Sequence, residues 1–365
     1  VTARRTWPAA LALEGGHLWI GEGFGACVPS GGELVFNTGM TGYQEILTDP
    51  SYRRQIVVMT YPHIGNTGVN AEDVESGEVA AAGLVVRSLC DTPSSWRSKG
   101  SLGAYLEQAG VPGISGVDAR AITRLLRDEG AKRAVLFPVE SGEPVSVQAE
   151  RHLSKVPSME GLELVSEVSV RKPYWFSEKG TGLVVAYDYG AKTNILRLVA
   201  ALGLRVRVVP FDMPAEEVLK DKPTAVVLTN GPGDPATVPD AAHILAKLVG
   251  QVPLFAVCMG HQLLARAIGA STYKLKFGHH GINHPVLHAP SGRVLITSQN
   301  HGFAVRQEEL PKDVEPTFRS LNDGTSEGFE SDKLQLCSVQ FHPEAKPGPS
   351  DAEPLFERFF RGVMA

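Results

Sequence analysis

Pro253-Leu254-Phe255-Ala256-Val257-Cys258-Met259-Gly260-His261-Gln262-Leu263-Leu264 decides how the second half of this chain folds. The residues before Cys258 are almost continuously apolar, as a strand buried on both faces of a parallel sheet must be. From Met259 onward the pattern turns helical, so an abrupt strand-to-helix corner falls on Cys258. Small residues at Ala256 and Gly260 suit such an elbow, which lifts the corner side chain above the sheet. A cysteine at a helix N-terminus is also biased toward thiolate, the reactive form. A lone cysteine is more often a buried structural residue. The elbow spacing reverses that expectation here.

Outward from the elbow, apolar runs alternate with helical ones. Leu183-Val184-Val185-Ala186-Tyr187 is followed by a helical stretch from Lys192 to Leu202, then by Arg205-Val206-Arg207-Val208-Val209 and Ala225-Val226-Val227-Leu228. This rhythm predicts a doubly wound, mostly parallel α/β sheet over residues 182–365, with ligands beyond the carboxyl ends of the strands. One such end is Thr229-Asn230-Gly231-Pro232-Gly233-Asp234-Pro235. A Gly/Pro-rich loop is usually only a turn. Beside a reactive cysteine, Gly231 or Gly233 could join the Met259 N–H in holding an oxyanion, whereas Pro232 has no N–H to give. Downstream, Cys337-Ser338-Val339-Gln340-Phe341-His342-Pro343-Glu344 supplies a base. If the chain is extended there, Glu344 points the same way as His342 and fixes its tautomer. Nucleophile, base and orienter complete a triad.

The first half reads differently. Up to about residue 140, short β-like runs such as Gly32–Phe36 and Gln55–Met59 are separated by Gly and Pro, predicting a β-rich α+β domain. One helix interrupts them, from an Asp118 N-cap to a Gly130 stop. Residues 141–181 lose periodicity and read as a linker. Two domains are the default at 365 residues. With 43% hydrophobic and 21% charged residues the composition is globular. A formal charge of -5 gives no electrostatic argument for nucleic acid or an anionic membrane. No run approaches ~18 apolar residues, and Val1–Leu13 meets Glu14, Gly15 and Gly16 before any signal-peptide core. Cys27, Cys90, Cys258 and Cys337 lack metal-type pairing, which points to a reducing cytoplasmic setting. His280, His284 and His288 are four apart, but Gly278, Gly281, Pro285 and Pro290 break any helix that would align them, so no metal is expected. His261 reads as a packed helix residue.

The Cys258 elbow with a distant His-Pro-Glu resembles the class I glutamine amidotransferases, which hydrolyse glutamine to glutamate and ammonia. Three further segments, Asn230–Pro235, Phe277-Gly278-His279-His280-Gly281-Ile282-Asn283-His284-Pro285 and Gln299-Asn300-His301-Gly302-Phe303-Ala304-Val305, look like the carbamoyl phosphate synthetase branch of that family. Phe36–Tyr52 and Tyr61–Asn66 agree. From composition alone these are loop-rich segments. The resemblance covers nearly the whole chain and implies Cys258, His342 and Glu344 as catalytic residues. It further implies a glutamine pocket of Ser51, Gly231, Gly233, Met259, Gln262, Asn300, Gly302 and Phe303, with Ser51 supplied by the first domain. It implies residues 1–140 as a partner-facing domain and a separate large subunit that carries ATP and Mg²⁺ and uses bicarbonate, in arginine and pyrimidine synthesis. No cofactor is expected in this chain. Ala256 stands where the family usually has Gly, and Met259 where Leu is common. Other amidotransferases, such as those of anthranilate or GMP synthesis, lack the Thr41–Tyr52 segment. A catalytically silent scaffold would not need Cys258, His342 and Glu344 together.

Overall fold

The computed structural model describes residues 6–364. Residues 1–5, where the segment too interrupted for a signal peptide begins, lie outside the described residues. Among those described, no helix is long and apolar enough to cross a membrane. The chain divides into two compact units. The first runs through Met159 and includes Lys276–Gly281; the second comprises Glu160–Leu275 and the residues from Ile282 onward.

The first unit is a closed barrel. Its strands are β1 (Trp7–Leu13), β2 (His17–Gly25), β3 (Ser30–Asn37), β4 (Gln55–Met59), β5 (Gly83–Val85), β6 (Pro112–Ser115) and β7 (Lys132–Pro138). They pair in the order β1-β2-β6-β5-β4-β3-β7, and β7 returns to β1. β1 shows why closure works. Ala9, Leu11 and Leu13 face one apolar cluster with Leu34, Ile56 and Leu136, while Ala10 and Ala12 face another with Val135, Phe137 and Ala149. Alternate side chains of a strand point to opposite faces, so this strand is covered on both. Ala149 belongs to helix α2 (Val145–Leu153), inside the stretch that reads as aperiodic in sequence.

Helix α1 (Ala119–Glu129) forms where its caps predict. The Asp118 carboxylate accepts from the Ala121 N–H at 2.9 Å, and Gly130, at φ 101°, donates to Leu126 O. Such a cap stabilises a helix by about 1 kcal/mol. Two other segments of the first half are more ordered than their Gly/Pro content suggests: Tyr43–Thr48 is a helix and Pro50–Tyr52 a 3₁₀ turn.

The second unit carries a ten-stranded sheet. In chain order its strands are β8 (Tyr174–Ser177), β9 (Leu183–Asp188), β10 (Arg205–Pro210), β11 (Ala225–Leu228), β12 (Leu254–Val257), β13 (Thr272–His288), β14 (Arg293–Val305), β15 (Glu315–Ser320), β16 (Ser326–Ser331) and β17 (Leu336–Val339). The spatial order is β8-β10-β9-β11-β12-β17-β16-β15-β13-β14. From β10 to β17 the neighbours are parallel, the core that the β/α alternation predicts. Val184 and Ala186 join the cluster on one face, Val185 and Tyr187 the cluster on the other. Antiparallel strands flank this core at β8, β16 and β15, making the sheet mixed. β13 and β14 correct the reading of their sequences as loop-rich. Gly and Pro exclude a helix there, but an extended chain tolerates both at bulges and edges.

Candidate active site

Cys258 joins β12 to helix α3 (Met259–Ala267) with φ 53° and ψ −105°, a conformation that strains any residue with a Cβ. Strain of this kind costs about 1–3 kcal/mol and persists only where the surroundings impose it. Here they do: the Cys258 N–H is held by Val339 O at 2.9 Å, and the Gly260 N–H by Thr229 O at 2.9 Å. A Cβ on Gly260 would lie 2.3 Å from Leu228 O. Gly260 is therefore required by its approach to the neighbouring strand β11, not by crowding against Ala256. The Ala256 methyl is itself fully buried in the sheet core. Met259 opens α3, so its N–H has no intrahelical acceptor and is available to a ligand.

The His342 N–H donates to Ser298 O at 2.9 Å, and Nδ1 lies 2.6 Å from Glu344 Oε1. The pair does not meet along an extended strand. Ala345 N–H donates back to His342 O at 3.2 Å, so a turn folds the carboxylate under the imidazole. Both side chains are buried.

Glu344 has a second partner that the sequence reading missed. Lys192 Nζ lies 2.9 Å from Glu344 Oε1 and 2.6 Å from Ala345 O, and Asn194 Nδ2 donates to Glu344 O at 2.6 Å. The Lys192 N–H donates to Asn230 Oδ1 at 2.9 Å, tying this cluster to the glycine loop. A lysine just beyond the carboxyl end of β9 was the available signal, because such positions face the ligand side of a parallel sheet.

Burial alone would raise the Glu344 pKa, but Lys192 and His342 bring it down to about 2. Burial alone would lower that of His342, yet Glu344 and the nearby Cys258 sulfur push it up to about 10. His342 is thereby held as an imidazolium. Its contribution to stability is complete below the ordinary histidine range, ~6.5, and is lost as pH rises toward about 10. That of Glu344 is complete above 4.5 and is lost as pH falls toward about 2. Thermal unfolding of the second unit followed from neutral to alkaline pH should therefore show falling stability in the wild type and a flatter profile in His342→Asn. Equal slopes would mean that the imidazolium is not held by the fold.

The remaining candidates fall in four places. Gly231 and Gly233 lie in the loop after β11, with a Cβ on Gly231 only 2.1 Å from Tyr189 O and Gly233 at φ 88°. Asn300, Gly302 and Phe303 lie on β14, and Asn300 O is 3.6 Å from Cys258 Sγ. Gln262, on α3, is stitched to this strand: its Nε2 donates to Phe303 O at 2.8 Å and to Gln340 Oε1 at 3.0 Å. Ser51 belongs to the first unit, where its N–H donates to Asp49 Oδ1 at 2.8 Å.

Two histidines have settled roles. His301 Nδ1 meets Phe303 O at 2.8 Å and Nε2 meets Gln299 Oε1 at 3.0 Å, while Gln299 Nε2 donates to Glu327 Oε2 at 2.9 Å. Both ring nitrogens are engaged, so His301 braces the β14 wall. His261 Nδ1 lies 2.9 Å from Ser338 Oγ, whose own proton goes to Phe329 O. Burial lowers the His261 pKa to about 3, so it is neutral and packed, as read from its helix position.

Comparison with known proteins agrees on both halves. Residues 11–136 match the carbamoyl-phosphate synthase small chain, CPSase domain, and residues 185–361 match the glutamine amidotransferase class-I family. The carbamoyl phosphate synthase small chain of Halomonas eurihalina is 51% identical over 370 residues, covering 96% of this chain and 97% of that one. That of Xanthomonas campestris is 50% identical, covering 97% of each. That of Symbiobacterium thermophilum is 51% identical, covering 95% of this chain and 96% of its own.

Proposed function

The chain belongs to the carbamoyl phosphate synthase small chain family, and from that premise we propose how its residues perform the glutamine-hydrolysing, class I amidotransferase function of that family. Cys258 thiolate attacks the carboxamide carbon of L-glutamine. The N–H of Met259 and one from the Gly231–Gly233 loop hold the oxyanion. His342 gives its proton to the departing nitrogen, and ammonia leaves. The same imidazole, now neutral, takes a proton from water, which attacks the γ-glutamyl thioester. Glutamate is released and the thiolate restored. Glu344 keeps the ring oriented and charged, and Lys192 keeps Glu344 ionised. Gln262, Asn300, Gly302 and Phe303 form the wall that receives the substrate.

The observation that carries this reading is the His342–Glu344 contact of 2.6 Å in the same unit as the strained Cys258 corner. A glutamine-analogue electrophile, 6-diazo-5-oxo-L-norleucine, tests it. Peptide mass analysis should find the adduct on Cys258, with protection by glutamine. No adduct on the folded chain, or one on the exposed Cys27, would overturn the assignment and favour a silent scaffold.

A small chain implies a large one. ATP, Mg²⁺ and bicarbonate chemistry belongs there, and this chain needs no cofactor of its own. Free ammonia protonates in neutral water, so delivery through a confined route makes chemical sense. On this reading residues 1–140 form the partner-facing domain, 141–181 the linker and 182–365 the amidotransferase domain. The complex is cytoplasmic and serves arginine and pyrimidine biosynthesis.

A further inference from the structure

The first unit carries a feature that glutamine hydrolysis does not use. Helix α1 buries Ala119, Ile122 and Leu126. Arg120, Arg124 and Arg127 follow one another at i, i+4 and i+7, the spacing of a single helix face. With Arg87, Thr60 and Thr123 they line a cavity of about 680 Å³.

Arg127 is paired with Asp128 at 3.1 Å. Arg87, Arg120 and Arg124 have no acidic partner among the described residues. Asp118, the one carboxylate in the lining, is turned to cap α1. Four guanidiniums thus face one engaged carboxylate, on a chain whose formal charge is -5. The local positive charge is not a reflection of overall basicity.

The exposure of these arginines decides between occupants. All four are exposed, so a small anion would meet cations still dressed in water and screened by salt. A protein surface laid over the face removes that water from several guanidiniums at once. The planar fork of arginine then matches carboxylates in bidentate geometry, and arginine is enriched where interfaces are tightest. We propose that the α1 arginine face and its cavity dock an acidic segment of the large chain. This rests on the small-chain reading above. It adds the specific surface, and the sign of charge that the partner must present.

The test uses the full chain with purified large chain. Arg120→Glu/Arg124→Glu, and separately Arg87→Glu on a different element, are titrated at low and high salt. All three positions are exposed, and thermal unfolding checks the fold of each variant. Wild-type affinity should fall as salt rises, and each reversal should weaken binding by roughly 10-fold or more. Electrophile trapping at Cys258 in the isolated chain should be unchanged. Undiminished affinity in both variants overturns the proposal, and pyrophosphate binding to the wild type by calorimetry with the same undiminished affinity assigns the cavity to a small anion instead. If the wild-type chain does not associate with the large chain at all, the partner reading itself fails, and this docking surface with it.

Discussion

Cys258→Ala, assembled with the large chain, should lose glutamine-dependent carbamoyl phosphate synthesis by roughly four orders of magnitude or more while synthesis from ammonium salts continues at the wild-type rate. The reason is chemical rather than structural. Alanine tolerates φ 53° no better and no worse than cysteine, so the strained elbow survives, as do its N–H bonds to Val339 O and Thr229 O. What disappears is the sulfur that, on the proposed mechanism, forms the thioester. The proposed oxyanion donors and the His342–Glu344 pair remain, but they would have no covalent intermediate to stabilise. Parallel assays with glutamine and with ammonium decide the matter, and equal loss of both activities would sink the assignment.

Lys192→Met should do damage of a different kind. Lys192 and Glu344 have 2% and 0% of their side chains accessible, and their charged atoms are 2.9 Å apart. Removing one partner of a buried pair leaves the other charge uncompensated, which costs about 3–5 kcal/mol. His342 offers partial compensation, so the lower end of that range is expected in denaturant unfolding of the second unit. Glu344 would then recover proton affinity, because Lys192 heads the influences that lower its pKa. A partly protonated Glu344 holds His342 less firmly as an imidazolium, and glutaminase activity should fall with its pH profile altered. Unchanged stability with unchanged activity would mean that the ion pair is incidental.

These two residues also mark how far the sequence could be read. Cys258 was legible because an elbow is local: an apolar strand, a corner and a helix lie within a dozen residues. Helix α1 was legible for the same reason, its caps being written at Asp118 and Gly130. Lys192 was not. Its place beyond the carboxyl end of β9 signals only the ligand side of the sheet; the pairing with Glu344 is not local, since the helix neighbour Asn194 meets Glu344 across 150 positions. The His342–Glu344 contact was anticipated, though through an extended strand rather than the turn that makes it. Closure of the barrel was hidden likewise, since β1 and β7 pair across most of the first unit. In β13 and β14, glycine and proline argued correctly against helix and were silent about a long hairpin edge.

The placement of β17 beside β12 has a consequence for synthesis of the protein on the ribosome. β12 is flanked by β11, made before it, and by β17, made near the end of the chain. Val339, which pins the Cys258 N–H, and His342 and Glu344, the proposed base and its orienter, all emerge after Cys258. While the chain is being translated, Cys258 sits on an unfinished sheet. On the mechanism proposed above, glutamine hydrolysis therefore waits until translation is nearly over, and a nascent chain releases no ammonia.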